Sequence, residues 1–144
     1  MAAITSQGQS PPELGNLVDL EVLWLPANNL TGPIPPELGN LSDLQYLDLS
    51  HNNLVGSIPP ELGDLDSLLW LLSSNNNLSG PIPAALSNLS ELIRLELSEN
   101  PGLTCWETFA ALLWAWRLPV YEGPESVCDG EISGLWFPIV CSVN

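Results

Sequence analysis

Residues 35–58 read PPELGNLSDLQYLDLSHNNLVGSI, and the segments on either side repeat them: 11–34 is PPELGNLVDLEVLWLPANNLTGPI and 59–82 is PPELGDLDSLLWLLSSNNNLSGPI. The period is 24 residues, and a further copy at 83–106, PAALSNLSELIRLELSENPGLTCW, keeps the leucine frame to Asn100 and then breaks into a different ending. A unit this short cannot bury its own apolar face, so successive copies must stack. In each copy Leu23, Leu47, Leu71 and Leu95 stand two residues before Leu25, Leu49, Ser73 and Leu97. That is the alternation of a short strand with one buried face, and stacking the copies predicts a parallel sheet.

Asn28, Asn52, Asn76 and Asn100 fall where the chain leaves each strand. Their amides can bond backbone groups that the turn leaves unpaired, which makes them structural rather than catalytic. Gly32, Gly56 and Gly80 permit unusual backbone angles, and the IPPELG segments that follow favour an extended or short helical outer side. Ser73 replaces a core leucine while Leu72 takes an outward position, which predicts local strain or a shift in the third copy. In the fourth, Pro101 and Gly102 displace the leucine to Leu103.

The chain carries 17 acidic residues against Arg94 and Arg117, with no lysine, for a formal charge of -15. Nothing is available to build a phosphate-tracking groove, so nucleic acid is excluded as a partner, and anionic membrane surfaces are disfavoured. No apolar run approaches the ~18 residues of a membrane span, and MAAITSQGQS has neither the basic nor the apolar segment of a secretory leader. The 45% hydrophobic content argues for a real core in a single domain. Cys105, Cys128 and Cys141 all lie near the end of the chain. They fit a stapled C-terminal cap in an oxidising compartment, with Cys105 bonded to Cys128 across a helix and its return loop and Cys141 left over.

Each copy matches LxxLxxLxLxxNxLxGxIP over roughly residues 8 to 104, and on that motif the chain resembles the plant-specific class of leucine-rich repeats, marked by its GxIP segment. The resemblance implies an α/β solenoid, a right-handed leucine-rich-repeat superhelix of about four 24-residue repeats with a parallel sheet on its concave face. Residues 1–10 read as a degenerate N-terminal half-repeat, 11–104 as the repeats and 105–144 as a cap. The cysteine-paired N-terminal cap common in plant members is missing from the pattern. Without a polar capping repeat, the N-terminal end is expected to self-associate weakly. In the C-terminal segment Thr104 and Glu107 form a capping-box pattern, and WETFAALLWAWR reads as a helix stopped by Pro119.

Candidate enzyme chemistry is thin. The single histidine, His51, follows Asp48 and Ser50, but neighbours on one strand point to alternate faces and cannot form a serine-histidine-acid triad. Asp64 and Asp66 read as a solvated turn, no metal-ligand spacing appears, and no cofactor is called for. Asn29, Asn40, Asn77 and Asn88 open N-x-S/T triplets.

The informative positions are the outward ones on the strands, because apolar residues on an open sheet face lack a core to explain them. One column runs Val22, Tyr46, Trp70, Arg94 and the next Trp24, Asp48, Leu72, Glu96. The rival reading is that these rings merely stiffen the sheet by cross-strand stacking. The expectation is a non-enzymatic domain that binds an apolar or basic protein or peptide on its concave face, with Asp48 and Glu96 as a polar rim. An inhibitor of a cell-wall-degrading glycanase, of the polygalacturonase-inhibitor kind, is the alternative implied by the resemblance. A weaker one is ice binding on a ladder of Asn29, Asn53 and Asn77. Location is extracellular or cytoplasmic, the cysteines favouring the former.

Overall fold

The computed structural model describes residues 12–104 and the backbone of 120–122. The expected half-repeat at 1–10, the cap helix, the rest of the tail and the cysteine pairing lie outside the described residues.

Each copy of the repeat winds through the same three elements. A 3-10 turn begins at the second proline of PPELG, giving Pro12–Asn16, Pro36–Asn40, Pro60–Asp64 and, in the copy that starts PAALS, Ala84–Asn88. Proline presets φ and has no N–H to waste, which suits the first turn of a helix. A strand of the first sheet follows: β1 (Val22–Trp24), β3 (Tyr46–Asp48), β5 (Trp70–Leu72) and β7 (Arg94–Glu96). Then comes a strand of a second sheet: β2 (Thr31–Gly32), β4 (Asn53–Gly56), β6 (Asn77–Pro81) and β8 (Gly102–Thr104).

Both sheets are parallel, ordered β1-β3-β5-β7-β9 and β2-β4-β6-β8. The fifth strand of the first sheet, β9 (Val120–Glu122), comes from the tail and pairs with β7, Leu95 opposite Tyr121. Sequence reading placed no strand there. It also missed the second sheet, because strands of two to five residues carry too little alternation to register as a pattern.

Between the sheets and the 3-10 turns the leucine ladder closes completely, with Leu38, Leu62, Leu44, Leu68, Leu47, Leu71, Leu54 and Leu78 all buried. Burying one such side chain is worth ~2–3 kcal/mol, so the ladder is the main source of cohesion between copies. The expected strain or shift at Ser73 does not occur. Leu71 stays opposite Leu47 and Leu95, and Ser73 N–H donates to Glu96 O at 2.8 Å as Leu49 N–H does to Leu72 O. The departure costs a buried hydroxyl instead: Ser73 Oγ finds no partner among the described residues.

The asparagines act as the sequence suggests, and they act between copies. Asn76 Nδ2 donates to Leu49 O, Ser73 O and Ser74 O, and its Oδ1 accepts from Leu54 N–H. Asn52 and Asn100 make the same connections one copy earlier and one later. Asn28 is exposed and donates Nδ2 to Pro26 O, as Asn52 does to Ser50 O.

Two glycine positions are forced by different causes. Gly56 sits at φ +81, and Gly32 and Gly80 match it, in the left-handed region that a side chain disfavours. Gly63 has ordinary angles, but a Cβ there would stand 2.3 Å from Ala85 O in the next turn of the solenoid. Ser87 occupies the equivalent place in the fourth copy.

Candidate functional site

Strand register assembles the two outward columns. Val22, Tyr46, Trp70 and Arg94 lie opposite one another across β1, β3, β5 and β7, and so do Trp24, Asp48, Leu72 and Glu96. The backbone of β9 runs beside β7, with Val120 in register with Arg94 and Glu122 with Glu96.

The first column is a packed series of side chains. The Tyr46 and Trp70 rings meet edge to face, centroids 5.4 Å apart at 74°, the arrangement favoured by their quadrupoles. Arg94 follows, its guanidinium carbon 5.6 Å from the Trp70 centroid, close enough for a cation–π contact. The same guanidinium pairs with Glu96, on the same face two residues on. Tyr46, Trp70, Arg94 and Glu96 are thus all half-buried by one another, while Trp24, alone near the end of the sheet, is 63% exposed and Val22 48%.

Asp48 departs from its expected place on a polar rim. It is only 7% exposed, and its Oδ1 accepts from both Ser50 N–H at 2.9 Å and Ser50 Oγ at 2.6 Å. Flanked by Trp24 and Leu72, the carboxylate turns along its own strand to find donors, as a partly desolvated charge must. Ser50 is thereby spent on Asp48. His51, exposed at φ 55, serves the turn. Ala27, Asn75 and Glu99 adopt the same left-handed angle in the other copies, so the position of His51 answers to geometry common to all repeats.

Sequence reading overlooked a further apolar position just ahead of the strands. The series Glu21, Gln45, Leu69, Ile93 becomes apolar in the later copies, and Ile93 is 50% exposed. Listing that position down the repeats would have shown it.

The proposed asparagine ladder does not form. Asn29 lies outside β2 in a left-handed conformation, Asn53 stands opposite Thr31, and Asn77 opposite Val55.

Models of leucine-rich repeats match residues 18–68, as two copies, and 67–89, as one. No curated protein sequence matches the chain. Among solved structures, the plant peptide hormone receptor RGFR1 in complex with RGF2 aligns with a TM-score of 0.70 and 34% identity, over 81% of this chain and 18% of the receptor. The BIR2 ectodomain from Arabidopsis thaliana gives 0.64 and 41%, over 67% of this chain and 50% of its own. The Leptospira interrogans LRR protein LIC12759 gives 0.65 and 32%, over 78% and 28%. The chain therefore spans half or less of each of these relatives.

Proposed function

Because the chain belongs to the leucine-rich-repeat proteins, of the plant-specific type, we propose that it is an extracellular module that binds a protein or peptide on the concave face, at Trp24, Tyr46, Trp70, Leu72 and Arg94. The observation that carries this reading is Trp24, 63% exposed on a sheet face beside a packed Tyr46–Trp70–Arg94 series. Rings on a stiff scaffold offer large apolar burial at small entropic cost, and tryptophan, tyrosine and arginine are the residues that dominate interface energies. Arg94 is already paired with Glu96, so the face presents no unbalanced positive charge, which suits an apolar or basic partner. The relatives point the same way, RGFR1 being a peptide hormone receptor solved with RGF2.

The rival in which the rings only stiffen the sheet is supported by the Tyr46–Trp70 contact but leaves Trp24 unexplained. The test is capture of partners from source extract with the parent chain, Trp24→Ala and Trp70→Ala, and with Glu37→Ala on the 3-10 side as control. Loss of ~2 kcal/mol per tryptophan, a roughly 30-fold weaker complex, is expected. Unchanged binding by both tryptophan variants, with loss in Glu37→Ala, would move the site elsewhere.

Self-association is part of the same proposal. Leu17, Val18, Val22 and Trp24, all of the first copy, are exposed together. Sedimentation equilibrium at high micromolar concentration should show a dimer that Val18→Glu abolishes.

A further inference from the structure

Two sets of asparagines in this chain do not overlap. Asn52, Asn76 and Asn100 are buried with their Nδ2 groups committed to backbone carbonyls, and none of them begins an N-x-S/T triplet. Asn29, Asn40, Asn77 and Asn88 all begin one, and all four are exposed, as are Thr31, Ser42, Ser79 and Ser90 at the third positions. None of these four asparagine side chains is hydrogen-bonded to another group among the described residues.

Their placement along the solenoid is also ordered. Asn40 and Asn88 close the 3-10 turns of the second and fourth copies. At the same position the triplet is broken in the first copy, Asn16-Leu17-Val18, and in the third, Asp64-Leu65-Asp66. Asn29 lies just ahead of β2 and Asn77 opens β6, in the first and third copies of the second sheet, and there the triplet is broken in the second copy, Asn53-Leu54-Val55. Neighbouring strands are about 4.8 Å apart, so on each flank the intact triplets stand about 10 Å apart rather than on adjacent copies. That spacing leaves room for a bulky substituent at every one. No concave-column position is an asparagine.

We propose that Asn29, Asn40, Asn77 and Asn88 are N-glycosylation acceptors, so that glycans cover the two flanks of the solenoid and leave the concave face bare. In the reaction Nδ2 of the asparagine attacks the anomeric carbon of an oligosaccharide carried on a lipid diphosphate. The C1–Nδ2 bond forms as the C1–O bond to the diphosphate breaks, the amide gives up one proton, and the lipid diphosphate leaves. The assignment rests on the extracellular placement proposed above. It does not require that the concave face bind anything.

The full chain is to be secreted from a eukaryotic cell behind a cleavable leader, and site occupancy read by peptide-N-glycosidase treatment in heavy-oxygen water followed by mass spectrometry. All four asparagines are expected to return as labelled aspartate. In addition Asn29→Asp, Asn40→Gln, Asn77→Gln and Asn88→Gln should each remove one glycan mass step from the intact protein. A secreted, folded chain carrying no enzyme-sensitive mass at these positions overturns the proposal, and an unmodified individual asparagine overturns its assignment. Fractionation of the source tissue with an antibody tests the extracellular placement separately. An intracellular native protein whose secreted form accepts all four glycans would place the failure in location and not in the acceptor sites.

Discussion

The guanidinium of Arg94 lies against the Trp70 ring, 5.6 Å from its centroid, and is also the ion-pair partner of Glu96, whose side chain is 14% exposed against 40% for Arg94. The three groups share one environment, so removing the cation alone strands a largely buried carboxylate. Arg94→Met should lower folding stability by ~1–3 kcal/mol, and adding Glu96→Gln should recover most of that loss. Urea denaturation of the single and double variants measures the difference. A double variant no more stable than the single one would show that the Trp70 contact, worth ~0.5–1 kcal/mol at such a site, is the larger part.

Asn76 ties two copies together through donors and acceptors that have no water to turn to. Asn76→Ala leaves Leu54 N–H without its side-chain acceptor and takes one of two amide donors from Leu49 O and Ser73 O, which keep those of Asn52 and Asn100. At ~1–3 kcal/mol for the buried group left unsatisfied, the loss should be about 2 kcal/mol. Asn28→Ala, at an exposed amide whose Nδ2 donates to Pro26 O, should cost under ~1 kcal/mol. Equal losses in thermal unfolding would contradict the bridging role.

Ser73 occupies a leucine position and hides a hydroxyl with no hydrogen-bond partner among the described residues. Ser73→Ala removes the desolvated group and nothing else, so it should stabilise by about 1 kcal/mol. A lower urea midpoint in the variant would mean that the hydroxyl is bonded in solution.

Gly63→Ala would bring a methyl to 2.3 Å from Ala85 O, inside the stacked 3-10 turns, where only backbone movement can relieve it. The expected loss is ~1–3 kcal/mol, the usual range for overpacking a close-packed contact. Ser87→Gly, at the equivalent position, should change stability by no more than about 1 kcal/mol, since that place already accommodates a side chain. Calorimetric melting of both variants tests the contrast.

Glu99 holds a left-handed angle, φ 54, that an unbranched side chain adopts at a cost, while Asn75 meets the same requirement with a residue that tolerates it. Glu99→Asn should therefore raise stability by ~0.5–1 kcal/mol. A destabilised variant would show that Glu99 makes an interaction that offsets its strain.

The sequence by itself determined everything that depends on one copy repeated. The spacing of Leu47 and Leu49 specifies a strand with one buried face, and the 24-residue period specifies that equivalent residues stack. The outward columns of Tyr46, Trp70 and Arg94 could therefore be written down before any coordinates, as could the structural role of Asn52 and Asn76. What only the tertiary structure decided concerns groups whose environment is supplied by another copy or by a distant segment. The burial of Asp48 depends on Trp24 and Leu72 flanking it, and the need for Gly63 depends on how closely Ala85 approaches. The second sheet pairs Thr31 with Asn53, a register that the repeat does not reveal, and β9 reaches the first sheet from outside the periodic segment. The physical reason is that periodicity encodes which faces are apolar, whereas hydrogen-bond register, close approach and desolvation are properties of the assembled solenoid.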